Sequence, residues 1–211
     1  MRVIAIDGPA GAGKSTVARQ LAKRLGLEYL DTGAMYRAVT FAALRTGLSL
    51  DDIEAVAELA RSCELEVSES GVCIDGVDAT AAIRTAEVTG AVSKVAANSG
   101  VRTEMRARQQ AWAAERGGGV IEGRDIGSVV FPDAEMKLYL TASPRVRAER
   151  RVAEAGGDVD QIERAIAARD LLDSTRIDSP LTEAAGSTLV DTTSLDIAEV
   201  LDHIVQLLEH A

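Results

Sequence analysis

Residues 8–15 read Gly8-Pro9-Ala10-Gly11-Ala12-Gly13-Lys14-Ser15, which matches the spacing G-x-x-x-x-G-K-[ST] without a mismatch. An apolar run over 3–6 precedes this octet and a helix-like run over 14–25 follows it, so the chain must pass from strand through glycine loop into helix. Glycines let backbone N–H groups wrap a polyphosphate, and the helix N-terminus adds a positive dipole end. The expected ATP-binding residues are therefore Gly8, Pro9, Ala10, Gly11, Ala12, Gly13, Lys14, Ser15 and Thr16. Lys14 is expected on the β and γ phosphates and Ser15 on Mg²⁺, the one metal the loop calls for. A glycine-rich turn that binds nothing is the bland alternative. Asp7 is read as shaping the loop.

Further β-like runs fall at 28–30, 120–122, 136–140 and 188–190, with helix-like segments over 34–44, 143–155, 162–172 and 195–209. Strands alternating with helices predict a parallel α/β sheet covered on both faces. The interval from 30 to 120 is too long for one crossover. It holds helical stretches near 52–62, 87–97 and 102–115, and two short runs, 65–67 and 72–74, joined by Ser68-Glu69-Ser70-Gly71. This reads as an insertion with its own small hairpin. Gly117-Gly118-Gly119 reads as a flexible return to the sheet. Ser143-Pro144 is a helix start, because serine caps well and proline suits the first helical position. The charged helix pair that follows, broken at Gly156-Gly157, reads as an exposed, movable flap.

At 211 residues with 46% hydrophobic and 27% charged side chains the chain can bury a full core. No apolar run reaches the ~18 residues a membrane span needs, and Met1 leads into no secretion signal, which predicts a cytoplasmic protein. A net charge of −10 argues against nucleic-acid and membrane partners. Cys63 and Cys73 have no ligand-spaced partners and read as reduced thiols, and His203 and His210 lie in the last helical run without a catalytic pattern.

The glycine loop alone leaves kinases, GTPases, motors and switches open. A GTPase needs an Asn-Lys-x-Asp guanine reader, which is absent, and motors need more chain. A small transferase remains, and its arginines become informative. Arg147, Arg150 and Arg151 fall on one side of a helix, with Arg145 beside them, while Arg169, Asp173 and Arg176 share another face. A solvated charged face is the ordinary meaning of such spacing. Phosphoryl transfer, however, spreads charge over several oxygens and requires water to be excluded, and an arginine-rich lid serves both needs. Two polar clusters, Asp31-Thr32-Gly33-Ala34-Met35-Tyr36-Arg37 and Glu122-Gly123-Arg124-Asp125-Ile126-Gly127, follow strands, where open parallel sheets bind ligands. A turn or helix cap is the plain alternative for each.

The loop at 8–16, the 31–37 cluster, the segment 123–132 with its Gly-Arg-Asp and Val-Val-Phe-Pro, and the stretch 169–181 together resemble the bacterial cytidylate kinases over essentially the whole chain. The resemblance implies a three-layer α/β P-loop kinase fold, a five-stranded parallel sheet flanked by helices. It implies a core over 1–32, 116–144 and 169–211, a CMP-binding insertion over 33–115 and a helical lid over 145–168. The implied reaction is transfer of a phosphoryl group from ATP to CMP or dCMP with Mg²⁺. Carried over by position, Thr32, Arg37 and Arg124 would hold the CMP phosphate. Ser93 and Asp125 would accept from the cytosine amino group, while Arg102 and Arg176 would donate to the ring. Arg169 and Asp173 would address the sugar. Lys14, Arg147, Arg150 and Arg151 would act on the transferred group. Thr32 stands where the family often has serine, and Glu122 is an acidic residue whose part in the Mg²⁺ shell is open. A shikimate- or gluconate-type kinase and a nucleotide-dependent switch are the rival readings, and a monomer is the default assembly.

Overall fold

The computed structural model describes residues 1–209; His210 lies outside the described residues. Among the described residues, eight strands and eight helices follow one another as β1 (Arg2–Asp7), α1 (Lys14–Leu25), β2 (Tyr29–Asp31), α2 (Thr32–Arg45), α3 (Ile53–Ser62), β3 (Leu65–Ser68), β4 (Gly71–Ile74), β5 (Val77–Asp78), α4 (Ala86–Ala96), α5 (Ser99–Arg116), β6 (Gly118–Glu122), β7 (Met136–Thr141), α6 (Pro144–Ala155), α7 (Val159–Thr175), β8 (Thr188–Asp191) and α8 (Ile197–Glu209). A 3-10 turn at Ala82–Arg84 and a π-helical turn at Ile126–Val130 complete the set.

The main sheet is parallel, in the order β2-β6-β1-β7-β8. Side chains alternate along a strand, and here both faces are covered. Val3 and Ala5 of β1 point into one apolar cluster, Ile4 and Ile6 into the other. Helices α1 and α8 cover the second face. The first cluster runs without a break from Val3, Ala5 and Leu30 through α2, α3 and α5 to Val72 and Ile74 of the small sheet. The long segment between β2 and β6 therefore shares its core with the main sheet.

Helix boundaries follow local chemistry. Asp31, Asp52, Thr85, Asn98, Ser143 and Asp158 each accept a backbone N–H in the first turn of the helix they cap. The small sheet has one strand more than the expected hairpin. Asp75 and Gly76, both at positive φ, turn β4 back into the two-residue β5. The expected flexible return at 117–119 is instead tightly held. Gly117 ends α5 in the left-handed conformation, while Gly118 and Gly119 are buried in β6. A Cβ on Gly119 would stand 2.7 Å from the Trp112 ring, so close packing is what requires glycine there. The expected flap is also only partly free. Helices α6 and α7 pack on each other, and the buried Arg147 near the start of α6 donates to the Ala10 and Ala142 carbonyls.

Candidate active site

Strands β1, β2, β6 and β7 end on the same edge of the sheet, and two cavities open there. One of about 800 Å³ lies over the glycine loop and is walled by Gly11, Gly13, Lys14, Ser15 and Thr16, with Arg150 and Arg151 opposite. The other expected loop residues build the loop rather than line it. Pro9 accepts from Lys14 Nζ at 2.8 Å, Ala10 from Arg147 at 3.0 Å and Ala12 from Thr192 Oγ1 at 3.3 Å. Gly8 passes so close to Leu140 that a Cβ would sit 1.9 Å from its carbonyl oxygen.

Lys14 is buried at the floor of this cavity. Burial pushes its ammonium down to about 7, with Arg124 and Arg169 adding to the effect while Glu122 and Asp7 oppose it. Glu122, at the end of β6, is pushed up by burial and by the Asp31 carboxylate, against the hydrogen bonds that Ser15 and Tyr29 donate to it. Asp7 is raised to about 6 by burial and accepts the Ile126 and Gly127 N–H groups at 2.8 and 2.7 Å. It thus shapes the loop after β6, not the glycine loop. The Ser15 hydroxyl against the Glu122 carboxylate is a hard-oxygen pair beside the phosphate loop. Among the described residues no three His, Cys, Asp or Glu side chains cluster to hold a metal on their own. That donor set fits Mg²⁺, which keeps waters and takes phosphate oxygens alongside one or two protein ligands.

The second cavity is walled by Thr32, Ser93, Arg102, Arg124, Asp125, Arg169, Asp173 and Arg176, eight of the nine expected substrate residues, gathered from five separate segments. Arg37 stands apart from this wall, its guanidinium donating to the Ile83 carbonyl at 2.9 Å and to Thr89 Oγ1 at 2.8 Å. Tyr36, Val92 and Ala96 also line the cavity, and the Tyr36 ring lies 5.5 Å from the Arg102 guanidinium. Sequence reasoning gave these three no role, since an apolar wall leaves no motif. Within the cavity the charges satisfy one another. Arg102 pairs with Asp125, Arg124 with Asp173 at 3.0 Å, and Thr32 Oγ1 donates to the Glu122 carbonyl at 2.6 Å. The cavity encloses a free volume of about 60 Å³ between these pairs. Nε of Arg169 and Nη2 of Arg176 are buried there without a hydrogen-bond partner. Burial, and then the neighbouring Arg124, lowers Arg169 to about 10, against the opposing Asp173 carboxylate.

The arginines of α6 divide. Arg147 is buried, ion-paired with Asp170 at 2.7 Å and donating to two carbonyls, so its guanidinium is not presented to the cavity. Arg150 reaches the cavity wall while donating to Thr192 Oγ1 at 3.0 Å and to the Thr192 carbonyl at 2.6 Å. Arg151 is half-exposed and pairs only with Glu154 in the next turn, at 3.2 Å. Arg145 faces away, bridging Glu149, Asp160 and Glu163. Arg19 and Arg84 also wall the larger cavity, and no sequence motif had pointed to either.

Among solved structures, a gluconokinase from Sinorhizobium meliloti (TM-score 0.53, 14% identity, 99% of this chain and 92% of that one) and a shikimate kinase from Acinetobacter baumannii (TM-score 0.53, 17% identity, 100% and 94%) share the fold. In sequence, the chain is 50% identical to a cytidylate kinase of Shouchella clausii over 99% of this chain and 96% of that one. It is 47% identical to the cytidylate kinase of Mycobacterium leprae over 98% and 95%. It is also 51% identical to a bifunctional pantoate ligase/cytidylate kinase of Trichormus variabilis, but spans only 40% of that protein's length. The model of the cytidylate kinase family matches residues 4–210. With both cavities, the glycine loop and every expected substrate residue falling inside that match, the chain belongs to the cytidylate kinase family.

Proposed function

We propose that this chain transfers the γ-phosphoryl group of ATP to CMP and dCMP, giving CDP and dCDP. The carrying observation is the second cavity, in which Ser93 and Asp125 bring acceptors and Arg102 and Arg176 bring donors to one place beside the phosphate loop. Cytosine presents an amino donor where uracil presents a carbonyl acceptor, so Ser93 Oγ and the Asp125 carboxylate favour cytosine. A uracil oxygen would face the carboxylate and leave it unpaired. Arg124 and Thr32 would bind the acceptor phosphate, with Arg37 swinging in from its place on Ile83 and Thr89, and Arg169 and Asp173 would read the sugar.

Catalysis on this reading is positioning and electrostatics, without a covalent enzyme intermediate. Lys14 would leave the Pro9 carbonyl for the donor phosphates, regaining its full charge beside them. Arg150 and Arg151 would face those phosphates from α6, and Ser15 with Glu122 would hold the Mg²⁺ that supplies further charge neutralisation. Arg147 acts by holding the Ala10 carbonyl and hence the loop's curvature. No general base is needed, because the attacking phosphate oxygen is already ionised at neutral pH. The divisions 33–115 and 145–168 serve on this reading as the acceptor-binding insertion and the lid. The reading extends to a cytoplasmic monomer, supported by the acidic chain and its two free thiols, Cys63 and Cys73.

The test is ADP release from ATP and Mg²⁺ against CMP, dCMP, UMP, AMP, GMP, shikimate and gluconate. Turnover with CMP and dCMP and little with UMP is the expected result. Equal use of UMP would defeat the base-reading argument, and turnover only with shikimate or gluconate would defeat the assignment itself.

A further inference from the structure

The chain carries a net charge of −10, yet the cavity over the glycine loop is walled by five cations, Lys14, Arg19, Arg84, Arg150 and Arg151, against two carboxylates, Glu154 and Asp196. Four of the five come from the core or from α6. Arg84 alone comes from the segment between β2 and β6, at the end of the 3-10 turn Ala82–Arg84, and so brings to the cavity a cation from outside both the core and α6. Its guanidinium is loosely held. The side chain is 64% exposed, and its nearest carboxylate, Asp31, lies 3.9 Å away, beyond a charge-assisted hydrogen bond. Asp31 is meanwhile engaged in capping α2 through the Ala34 N–H at 2.9 Å.

A second observation sets Arg84 and α6 in one electrostatic neighbourhood. Arg37 is lowered first by burial; the Asp31 carboxylate opposes this, and the like charges of Arg151 from α6 and Arg84 from the insertion side add to it. Guanidiniums from two separate segments, Arg84 and the α6 pair Arg150 and Arg151, thus line one cavity whose cations outnumber its carboxylates. Without an anion such an arrangement is self-repelling; with one it is a clamp.

We propose that Arg84 is a phosphate-binding residue that grips the terminal phosphates of the donor nucleotide from the insertion side, leaving Asp31 to do so. This rests on the kinase reading above. Arg84 would thereby make the position of the insertion sensitive to whether the donor cavity holds a triphosphate, because its side chain is the insertion's own contribution to that wall.

The experiment is calorimetric titration of ATP, ADP, AMP and CMP into wild type, Arg84→Gln and Arg84→Lys, with steady-state kinetics alongside. The expected result for Arg84→Gln is a preference for ATP over AMP that falls by about tenfold, the scale of one charge-assisted contact. Affinity for CMP and the melting temperature should stay at wild-type values, and Arg84→Lys should restore part of the preference. An unchanged ATP-to-AMP ratio in Arg84→Gln overturns the proposal. Equal weakening of ATP and CMP also overturns it, because Arg84 would then be holding the insertion's structure. Wild type that binds no ATP at all would instead defeat the kinase reading from which the proposal starts.

Discussion

Arg147 Nη1 donates to the Ala10 carbonyl at 3.0 Å, tying the first turn of α6 to the middle of the glycine loop. Its Nε donates to Ala142 at 3.0 Å, and the ion pair with Asp170 closes the set. Helix α6 is thus part of the loop's scaffold at its base and part of the cavity wall one turn later.

The division of labour along α6 predicts different defects for its arginines. Arg147→Ala leaves the largely buried Asp170 carboxylate and two carbonyls unpaired and is expected to cost about 3 kcal/mol in urea unfolding. Arg151→Ala, half-exposed, should cost less than about 0.5 kcal/mol while lowering kcat. Full stability with a pure kcat loss in Arg147→Ala would mean that its guanidinium reaches substrate after all.

Lys14 makes the stability of the ligand-free protein depend on pH. Its folded value of about 7 lies below the ordinary 10.5, so between these limits the unfolded chain holds a proton that the folded chain has lost. Stability gained from Lys14 therefore rises with pH across that window. Asp7, raised from 3.8 to about 6, acts in the opposite sense lower down, its contribution falling as pH rises between those values. Lys14→Met is expected to fold, to lose turnover, and to flatten the rise between about 7 and 10.5 in thermal melts. A rise of undiminished size in that variant would assign it to another group.

Base selection should reside in Asp125 more than in Ser93. Asp125→Asn keeps the shape but loses the charge that pairs with Arg102. The ratio of kcat/KM for CMP over UMP is expected to fall by about 10²-fold or more. Ser93→Ala removes one neutral acceptor and should cost about tenfold. Steady-state kinetics on both substrates decide it, and a ratio unmoved by Asp125→Asn would place cytosine recognition elsewhere.

Gly119→Ala tests the packing of α5 on β6. The new methyl would meet Trp112 at 2.7 Å and the Glu28 carbonyl at 2.9 Å, neither able to retreat freely. A loss of about 1–3 kcal/mol in denaturant unfolding is expected. A neutral substitution would show that the Trp112 ring can give way.

Much of this architecture was legible beforehand because it is local. The glycine loop, the cap at Ser143, and the alternation of strands and helices are each written within a few residues. That eight residues from segments far apart in the chain would meet in one cavity was legible only through resemblance. What failed was what only three dimensions decide. Arg147 and Arg150 look alike on one helix, and it is the Ala10 carbonyl that buries the first. Arg84 carries no motif, and its interest comes from where a 3-10 turn happens to aim it. The glycines at 118 and 119 read as slack because close packing against Arg2 and Trp112 leaves no mark in sequence. The strand Val77–Asp78 was missed although Asp75-Gly76 is a plain hairpin signal, because two residues give no periodicity to see.

The pairing of β2 with β6 sets Asp31 and Glu122 opposite each other in register. The chain therefore leaves the sheet and re-enters it at adjacent points. For a segment of about ninety residues, the entropy of joining such neighbouring ends grows only with the logarithm of length, so the core is burdened little more than by a short loop. A sheet built this way can accept a longer or shorter graft between the same two strands without changing its strand order, provided the graft still covers Val3, Ala5 and Leu30.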